Sequence, residues 1–121
     1  MSFWVFVQTP SAFRSWLAHM ASPAMPPSTA QAKVGERLFI ATSCASCHQI
    51  RGIGASATVG PDLTHLATRT SLAALTIPNT PAALASWIHN PQAIKPGDRM
   101  PDLGLPSGQV SELVSYLEGL K

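Results

Sequence analysis

The sequence predicts a small all-α domain of short helices, preceded by an N-terminal arm. Its 121 residues suffice for one ordinary domain, with about thirty to spare. The eleven prolines are about twice the usual share, which favours short helices joined by constrained loops. The last segment shows the clearest helical periodicity, because apolar residues recur at helical spacing at Val110, Leu113, Val114, Leu117 and Leu120.

Composition predicts three parts, which are residues 1–17, 18–30 and 31–121. The first part opens with the apolar run 3–7, which predicts a short strand, and continues with one or two helical turns. The second part is rich in proline, alanine and serine and predicts a partly extended linker. The third part is the domain itself. We expect residues 1–27 to be loosely held.

The first helix of the domain should begin near Ser28, where Gln31 three residues on suggests a capping box, and run to about Cys44. Its buried stripe is predicted at Val34, Leu38 and Ala41. A glycine at position 35 weakens a helix interior, which indicates a close helix crossing there.

Later segments alternate between helix signals and breakers. Residues 61–69 predict a short helix, and Thr80 followed by Pro81 is typical of a helix start. Residues 91–106 hold four prolines and two glycines and predict a loop. Ser107 is expected to cap the last helix.

Charge argues against several function classes. Eight Lys and Arg and six Asp and Glu are scattered along the chain, without the basic stripe that nucleic-acid binding requires. We therefore expect no nucleic-acid partner.

No apolar run approaches the roughly twenty residues of a membrane span, and no basic segment with a long apolar run resembles a secretory signal.

Both cysteines lie in the motif Cys44-Ala-Ser-Cys47-His48, which is typical of c-type haem attachment. Two thiols one helical turn apart can each add to a vinyl group of the porphyrin, and His48 can then ligate the iron. A thioredoxin-like dithiol would need a strand before Cys44, and no such pattern precedes it. A zinc site would need further ligands at suitable spacing, which His19, His65 and His89 do not provide.

Met100 is the candidate for the second axial ligand of the iron. It is the only methionine after the attachment motif, in a loop stiffened by prolines, and His/Met ligation suits electron transfer. The alternatives are that Met100 only fills an apolar gap, or that His65 or His89 ligates instead. Met20 and Met25 lie in the linker. Six-coordinate iron leaves no site for substrate, so we expect no catalysis by this chain alone.

Further residues join the motif and together resemble the class I cytochrome c fold. They are Gly35, Phe39, the segments 60–63 and 100–101, Trp87, and the segment 116–117. The resemblance implies three to five short helices around one covalently attached haem c. It implies that the first and last helices cross at Gly35, with Phe39 near Tyr116. It also implies that the Pro61 carbonyl accepts a hydrogen bond from the axial histidine. It places Trp87 at a haem propionate, where plain core filling is the alternative.

A closer likeness is to the haem domain fused to subunit II of caa-type cytochrome c oxidases. It rests on GPDLTHLATR at 60–69, NTP at 79–81, WI at 87–88 and NPQAIKPG at 90–97. Residues 1–17 are similar to the last strand and following helix of that subunit's copper-binding cupredoxin domain, and Met1 falls at the copper-ligand methionine. Both cysteines here belong to haem, so this chain cannot build the copper centre.

The resemblance implies one-electron transfer on the outer, periplasmic side of the bacterial cytoplasmic membrane. A quinol-oxidising complex or a soluble cytochrome c would donate the electron. The copper centre of the same subunit, within the oxidase complex, would accept it. The alternative is a free-standing periplasmic monohaem cytochrome c that carries electrons between partners. A third hypothesis is a cytochrome subunit or haem sensor for another dehydrogenase.

Overall fold

The computed structural model describes residues 3–121, so the prediction for Met1 lies outside the described residues. In this range the α-helices are α1 (Pro10–Ala21), α2 (Ala30–Ala41), α3 (Cys44–Cys47), α4 (Pro81–His89), α5 (Pro91–Ile94) and α6 (Ser107–Leu117). Two small antiparallel hairpins pair β1 (Gln49–Ile50) with β2 (Ala55–Ser56) and β3 (Ser71–Leu72) with β4 (Ile77–Pro78). None of the helices in residues 3–121 has the length and apolar character needed to cross a membrane.

The predicted all-α class is confirmed, and helices α2 to α6 follow the N-terminal arm. One prediction about the connections is wrong, because residues 91–106 are not all loop. Pro91 begins the short helix α5, and the Asn90 side chain caps it by accepting a hydrogen bond from the backbone N–H of Ala93 at 2.9 Å. The helix predicted at 61–69 is only a single 3₁₀ turn, Leu66–Thr68.

Helix α2 begins one residue later than predicted and lacks the expected capping box. The Thr29 side chain accepts a hydrogen bond from the N–H of Ala32 at 3.0 Å, so Thr29 rather than Ser28 is the N-cap. Gln31 instead donates from its amide to Ser111 of α6 at 3.1 Å. Its polar group therefore ties α2 to α6.

The buried face of α2 differs from the predicted stripe. Ala32, Gly35 and Phe39 are buried, whereas Leu38 is half-buried and Ala41 is exposed. Helix α6 crosses at Gly35 itself, and the face centred on that glycine therefore turns inward.

The close crossing predicted at Gly35 is confirmed. A Cβ on Gly35 would lie 2.7 Å from the carbonyl carbon of Glu112 and 2.8 Å from the Cβ of Tyr116. Next to the crossing, the rings of Phe39 and Tyr116 meet edge to face with centroids 6.1 Å apart, as the family resemblance implied. The crossing holds the first and last helices of the domain together.

Tyr116 is buried beside this crossing, and its hydroxyl has no hydrogen-bond partner among the described residues. Burial first, and the charge of Glu36 second, raise the pKa of Tyr116 far above its ordinary value. The phenol therefore stays neutral and acts as part of the apolar core.

The N-terminal arm differs from the prediction in three ways. Residues 3–7 form no strand and are exposed, because strand pairing needs a neighbouring strand and no strand of the described residues lies beside them. The predicted one or two helical turns form a longer helix, since α1 continues to Ala21, capped at its start by Thr9. The segment after α1, which was expected to be loosely held, packs on the domain through contacts with Arg51.

The helix crossing generates a stability prediction for Gly35→Ala. The added methyl meets backbone atoms, which yield less easily than a side chain, so we expect the free energy of unfolding to fall by about 1–3 kcal/mol. Gly108→Ala in α6 is the matched control. No atom lies within 4 Å of its Cβ position, and it should leave stability unchanged or slightly higher. Denaturant unfolding of both haem-loaded variants measures the difference, and equal stability would contradict the close crossing.

Candidate haem site

A cavity of about 770 Å³ lies between the helices and brings the predicted site residues together. Cys44, Cys47, His48 and Met100 all line it. Much of the remaining wall is apolar and is formed by Leu63, Leu66, Leu72, Leu84, Ile88 and Leu117. A concave, mainly apolar site of this size with a few polar groups is typical of a cofactor pocket.

Helix α3 consists of the attachment motif itself. Its single turn places the two thiols three residues apart, hence on one side of the helix, where both line the cavity half-buried and unbridged. The backbone N–H of His48 closes the turn by donating to the carbonyl of Cys44 at 2.9 Å. This geometry presents two thiols and an imidazole to one bound group.

The imidazole of His48 is oriented by the loop that follows β2. Its Nδ1 lies 2.9 Å from the carbonyl oxygen of Pro61, the hydrogen bond that the family resemblance implied. A carbonyl can only accept, so Nδ1 carries the proton and the lone pair of Nε2 is left free for a metal. The structure therefore fits His48 as an axial ligand through Nε2.

Gly60 has a role that the sequence did not reveal. A Cβ on this residue would lie 2.5 Å from Cε1 and 2.7 Å from Nδ1 of His48, so the glycine leaves the space that the imidazole occupies. Its backbone N–H donates to the carbonyl of Cys47 at 2.7 Å. Gly60 therefore leaves room for the imidazole of His48, and its N–H ties the loop to the end of helix α3.

The loop that carries Met100 is held by Gln92, a residue of α5 that the sequence analysis assigned to a loop. The Gln92 amide donates to the carbonyls of Asp98 at 2.8 Å and Met100 at 3.0 Å and accepts from the N–H of Gly97 at 3.1 Å. The Met100 N–H donates to the Asp98 carboxylate at 2.8 Å. Prolines alone do not stiffen this loop, because one amide side chain bridges it.

The other histidines lie away from the cavity. His65 is 3% exposed, and its ring nitrogens lie 3.0 Å and 3.2 Å from the main-chain oxygens of Lys121 and Ser22. His19 is exposed and rests against the ring of His65, and His89 is exposed at the end of α4. Of the four histidines, His48 alone lines the cavity. Within residues 3–121 no three His, Cys, Asp or Glu side chains converge as a metal-ion cluster.

Trp87 is half-buried on α4 and lines the cavity, as do core residues such as Leu84 and Ile88. The contact with a haem propionate stays a prediction.

The rim of the cavity includes a strained turn between β3 and β4. Ala73, Ala74 and Leu75 have φ angles of 52°, 57° and 68°, a left-handed conformation that non-glycine residues seldom adopt. The Lys95 ammonium donates to the carbonyl of Ala73 at 3.0 Å, and the Thr76 hydroxyl donates to the same oxygen at 2.6 Å. The turn is therefore held by Thr76 from within and by Lys95 from outside, and its backbone closes one edge of the site.

Asp62 anchors the loop behind His48. Its carboxylate accepts from the N–H of Thr64 at 2.8 Å and pairs with Arg51 at 2.6 Å, while Arg69 donates to its carbonyl. Burial would raise the pKa of Asp62, but the hydrogen bonds from Thr64 and the charges of Arg51 and Arg69 outweigh it. The pKa therefore lies below its ordinary value, and the ionised form is the one that the fold stabilises.

The comparisons with known proteins agree with this site. The cytochrome c family model matches residues 32–121. Cytochrome c oxidase subunit 2 of Alkalihalophilus pseudofirmus is 30% identical over 110 residues, which are 90% of this chain and 31% of the relative. Its namesake from Bacillus subtilis is 30% identical over an alignment of 126 positions, which covers 100% of this chain and 35% of the relative. The chain thus spans about a third of the length of these curated relatives. The predicted resemblance to a class I cytochrome c domain is confirmed.

Gly60→Ala tests the packing of His48. The methyl group has to displace the imidazole or the loop, so we expect altered ligation by His48, a shifted haem redox potential and a loss of about 1–3 kcal/mol in stability. Potentiometric titration and denaturant unfolding of the haem-loaded chain measure these changes. An unaltered potential would show that the imidazole does not depend on this glycine.

The acid stability of the domain tests the Asp62 cluster. A carboxylate with a lowered folded pKa contributes stability that is present above its unfolded pKa of about 3.9 and is lost as pH falls through the folded value. We expect Asp62→Asn to be less stable than the parent chain near neutral pH. The difference should shrink as the pH falls below the unfolded pKa and through the lower folded pKa of Asp62.

Unfolding by denaturant at a series of pH values measures this difference, with Asp102→Asn at an exposed position as the control. A stability deficit that is the same at every pH would show that the ionised Asp62 has no part in it.

Proposed function

Because the chain belongs to the cytochrome c family and transfers electrons through a covalently bound haem, we propose that it is the cytochrome c domain of subunit II of a caa-type oxidase. The observation that carries the proposal is the convergence of Cys44, Cys47, His48 and Met100 on one cavity. In this proposal the thiols bind the haem, and His48 and Met100 are its axial ligands. When bound, the haem supplies an iron that gains and loses one electron.

The residues of this chain hold and shield that group. Pro61 and Gly60 orient the imidazole of His48, and Gln92 fixes the loop of Met100. The apolar wall keeps water from the iron. A thioether favours ferrous iron, so the pair of ligands suits a relatively high potential. If His48 and Met100 both ligate the iron, no position would remain on it for a substrate, which suits a domain that only transfers electrons.

Support for the oxidase comes from the relatives and from the N-terminal arm. The alignment with the Bacillus subtilis subunit covers 100% of this chain and so includes the arm. Phe3, Trp4 and Phe6 are each more than 70% exposed, which is unusual for aromatic residues in a finished domain. We propose that residues 1–17 are the end of a copper-binding cupredoxin domain, that residues 18–30 are the connection, and that residues 31–121 are the haem domain.

In this role the haem domain lies on the periplasmic side of the membrane. It receives one electron from a quinol-oxidising complex or a soluble cytochrome c and passes it to the copper centre of its own subunit. The scattered charge of the chain suits a domain whose acceptor is attached to it, because attachment supplies the effective concentration that charge steering would otherwise provide.

Met100→Ala tests the ligation. We expect the haem to remain attached and its redox potential to fall on the order of 0.1 V, because axial ligands set haem potentials over a range of about 0.8 V. The exposed Met25 is the matched control, and Met25→Ala should leave the potential unchanged. Carbon monoxide should bind the ferrous haem of Met100→Ala and not that of the parent chain. An unchanged potential in Met100→Ala would show that another residue is the ligand.

The reading frame upstream of the Met1 codon tests the proposal that this chain is part of an oxidase subunit. We expect an open frame that runs back through a C-x-x-x-C copper motif and membrane-spanning segments. A stop codon close upstream would contradict the oxidase subunit and leave the ligation unaffected.

A further inference from the structure

Arg51 connects the N-terminal arm to the loop behind the haem site. It follows β1, and its guanidinium donates to the carbonyl of Met20 at 2.5 Å and to the carboxylate of Asp62 at 2.6 Å. It also lies 3.4 Å from the carbonyl of Ser22 through both Nε and Nη2. These carbonyls belong to the end of α1, where unpaired carbonyls and the helix dipole favour a cation.

The segment after α1 packs against the chain around Arg51. The N–H of Ala24 donates to the Arg51 carbonyl at 2.9 Å. Gly52 has a φ of +104°, and a Cβ there would lie 3.2 Å from the Cβ of Pro23. This glycine therefore allows the segment after α1 to approach the segment after β1. Met20, Ser22 and Ala24 are half-buried, although residues 3–19 of the arm are exposed.

His65 holds the same segment from a second element. Its side chain is almost fully buried at the start of the 3₁₀ turn, with Nε2 at 3.2 Å from the carbonyl of Ser22. Its ring lies against that of His19, with centroids 4.5 Å apart. Two side chains that are fourteen positions apart in sequence therefore meet on the carbonyl of Ser22.

We propose that Arg51 and His65 form a latch that holds residues 19–24 on the haem domain and fixes the direction in which α1 leaves it. Arg51 is a positioning residue, since it reaches the haem site only through Asp62, the neighbour of the residue whose carbonyl orients His48. The fork of the guanidinium matters because Nη1 reaches the Asp62 carboxylate while Nη2 reaches the Met20 carbonyl, whereas a lysine would donate to both from one nitrogen.

The consequence for electron transfer rests on the proposed function. If residues 1–17 end a copper domain, the latch leaves little free linker between that domain and the haem. The haem and the copper centre then keep a fixed relative orientation. Electron transfer does not depend on diffusion of a mobile haem domain to its acceptor. The segment 25–29 between the latch and α2 cannot loosen this arrangement, because the latch precedes it.

Residual dipolar couplings of backbone amides in the haem-loaded 121-residue chain test the latch. We expect one alignment tensor to fit the amides of α1, α2 and α6 in the parent chain. In Arg51→Gln the couplings of α1 should shrink at least twofold, while those of α2 and α6 stay the same. Arg37→Gln, which removes an exposed charge from α2, is the matched control and should resemble the parent chain.

Two further variants separate the latch from general damage to the fold. Arg51→Lys keeps the charge and should not restore the α1 couplings, because the fork is lost. Ala24→Pro removes the N–H that donates to Arg51 and should also loosen α1, while Arg51 itself and the fully buried core residues stay unchanged. The redox potential should be the same in Ala24→Pro and Arg37→Gln as in the parent chain, because neither residue contacts Asp62 or the cavity.

Reduced α1 couplings in the parent chain, or full α1 couplings in both Arg51→Gln and Ala24→Pro, would overturn the latch. Full restoration by lysine would overturn the role of the fork. None of these measurements involves an oxidase partner or Met100. Failure of the latch is therefore distinguishable from failure of the proposed function.

Discussion

The hydrogen bond from the imidazole of His48 to the carbonyl of Pro61 is the constraint on which the site depends. It fixes the proton on Nδ1 and so leaves Nε2 available to the iron. The bond needs its loop in place, and that requirement explains the surroundings. Gly60 leaves room for the ring, and Asp62 ties the loop to Thr64 and to two arginines. A small set of polar contacts behind the haem site thus holds the Pro61 carbonyl where it can accept the hydrogen bond from His48.

A second constraint comes from the helices. The approach of α2 to α6 at Gly35 sets the frame of the domain, and the cavity lies between this frame, α4 and the loops. The loop that carries Met100 has little regular structure, so its position depends on the amide of Gln92. The two candidate ligands are therefore held by different means. His48 depends on a neighbouring backbone carbonyl, and Met100 depends on a side chain of the preceding helix.

The sequence predicted the residues that line the candidate site better than it predicted the segments that connect the helices. Covalent chemistry restricts the residues and spacing of Cys44 to His48 so tightly that a motif identifies them, and the helix signal at Thr80-Pro81 is equally local. Interactions that join distant residues were missed. The sequence predicts a loop at α5 because its four residues contain a proline and are too few to show periodicity. The segment 18–30 suggested a free linker because its composition cannot reveal that Arg51 and His65 bind its carbonyls.

The central claim is that His48 and Met100 are the two axial ligands of one haem. Carbon-13 labelling of the methionine methyl groups, followed by proton NMR of the ferrous haem-loaded chain, tests it directly. A methyl group that lies over the haem face is shifted far upfield by the ring current. We predict that one of the four methionine methyls shows this shift and that its signal disappears in Met100→Ala. A ferrous spectrum with no such methyl, or with one that persists in Met100→Ala, would contradict the account.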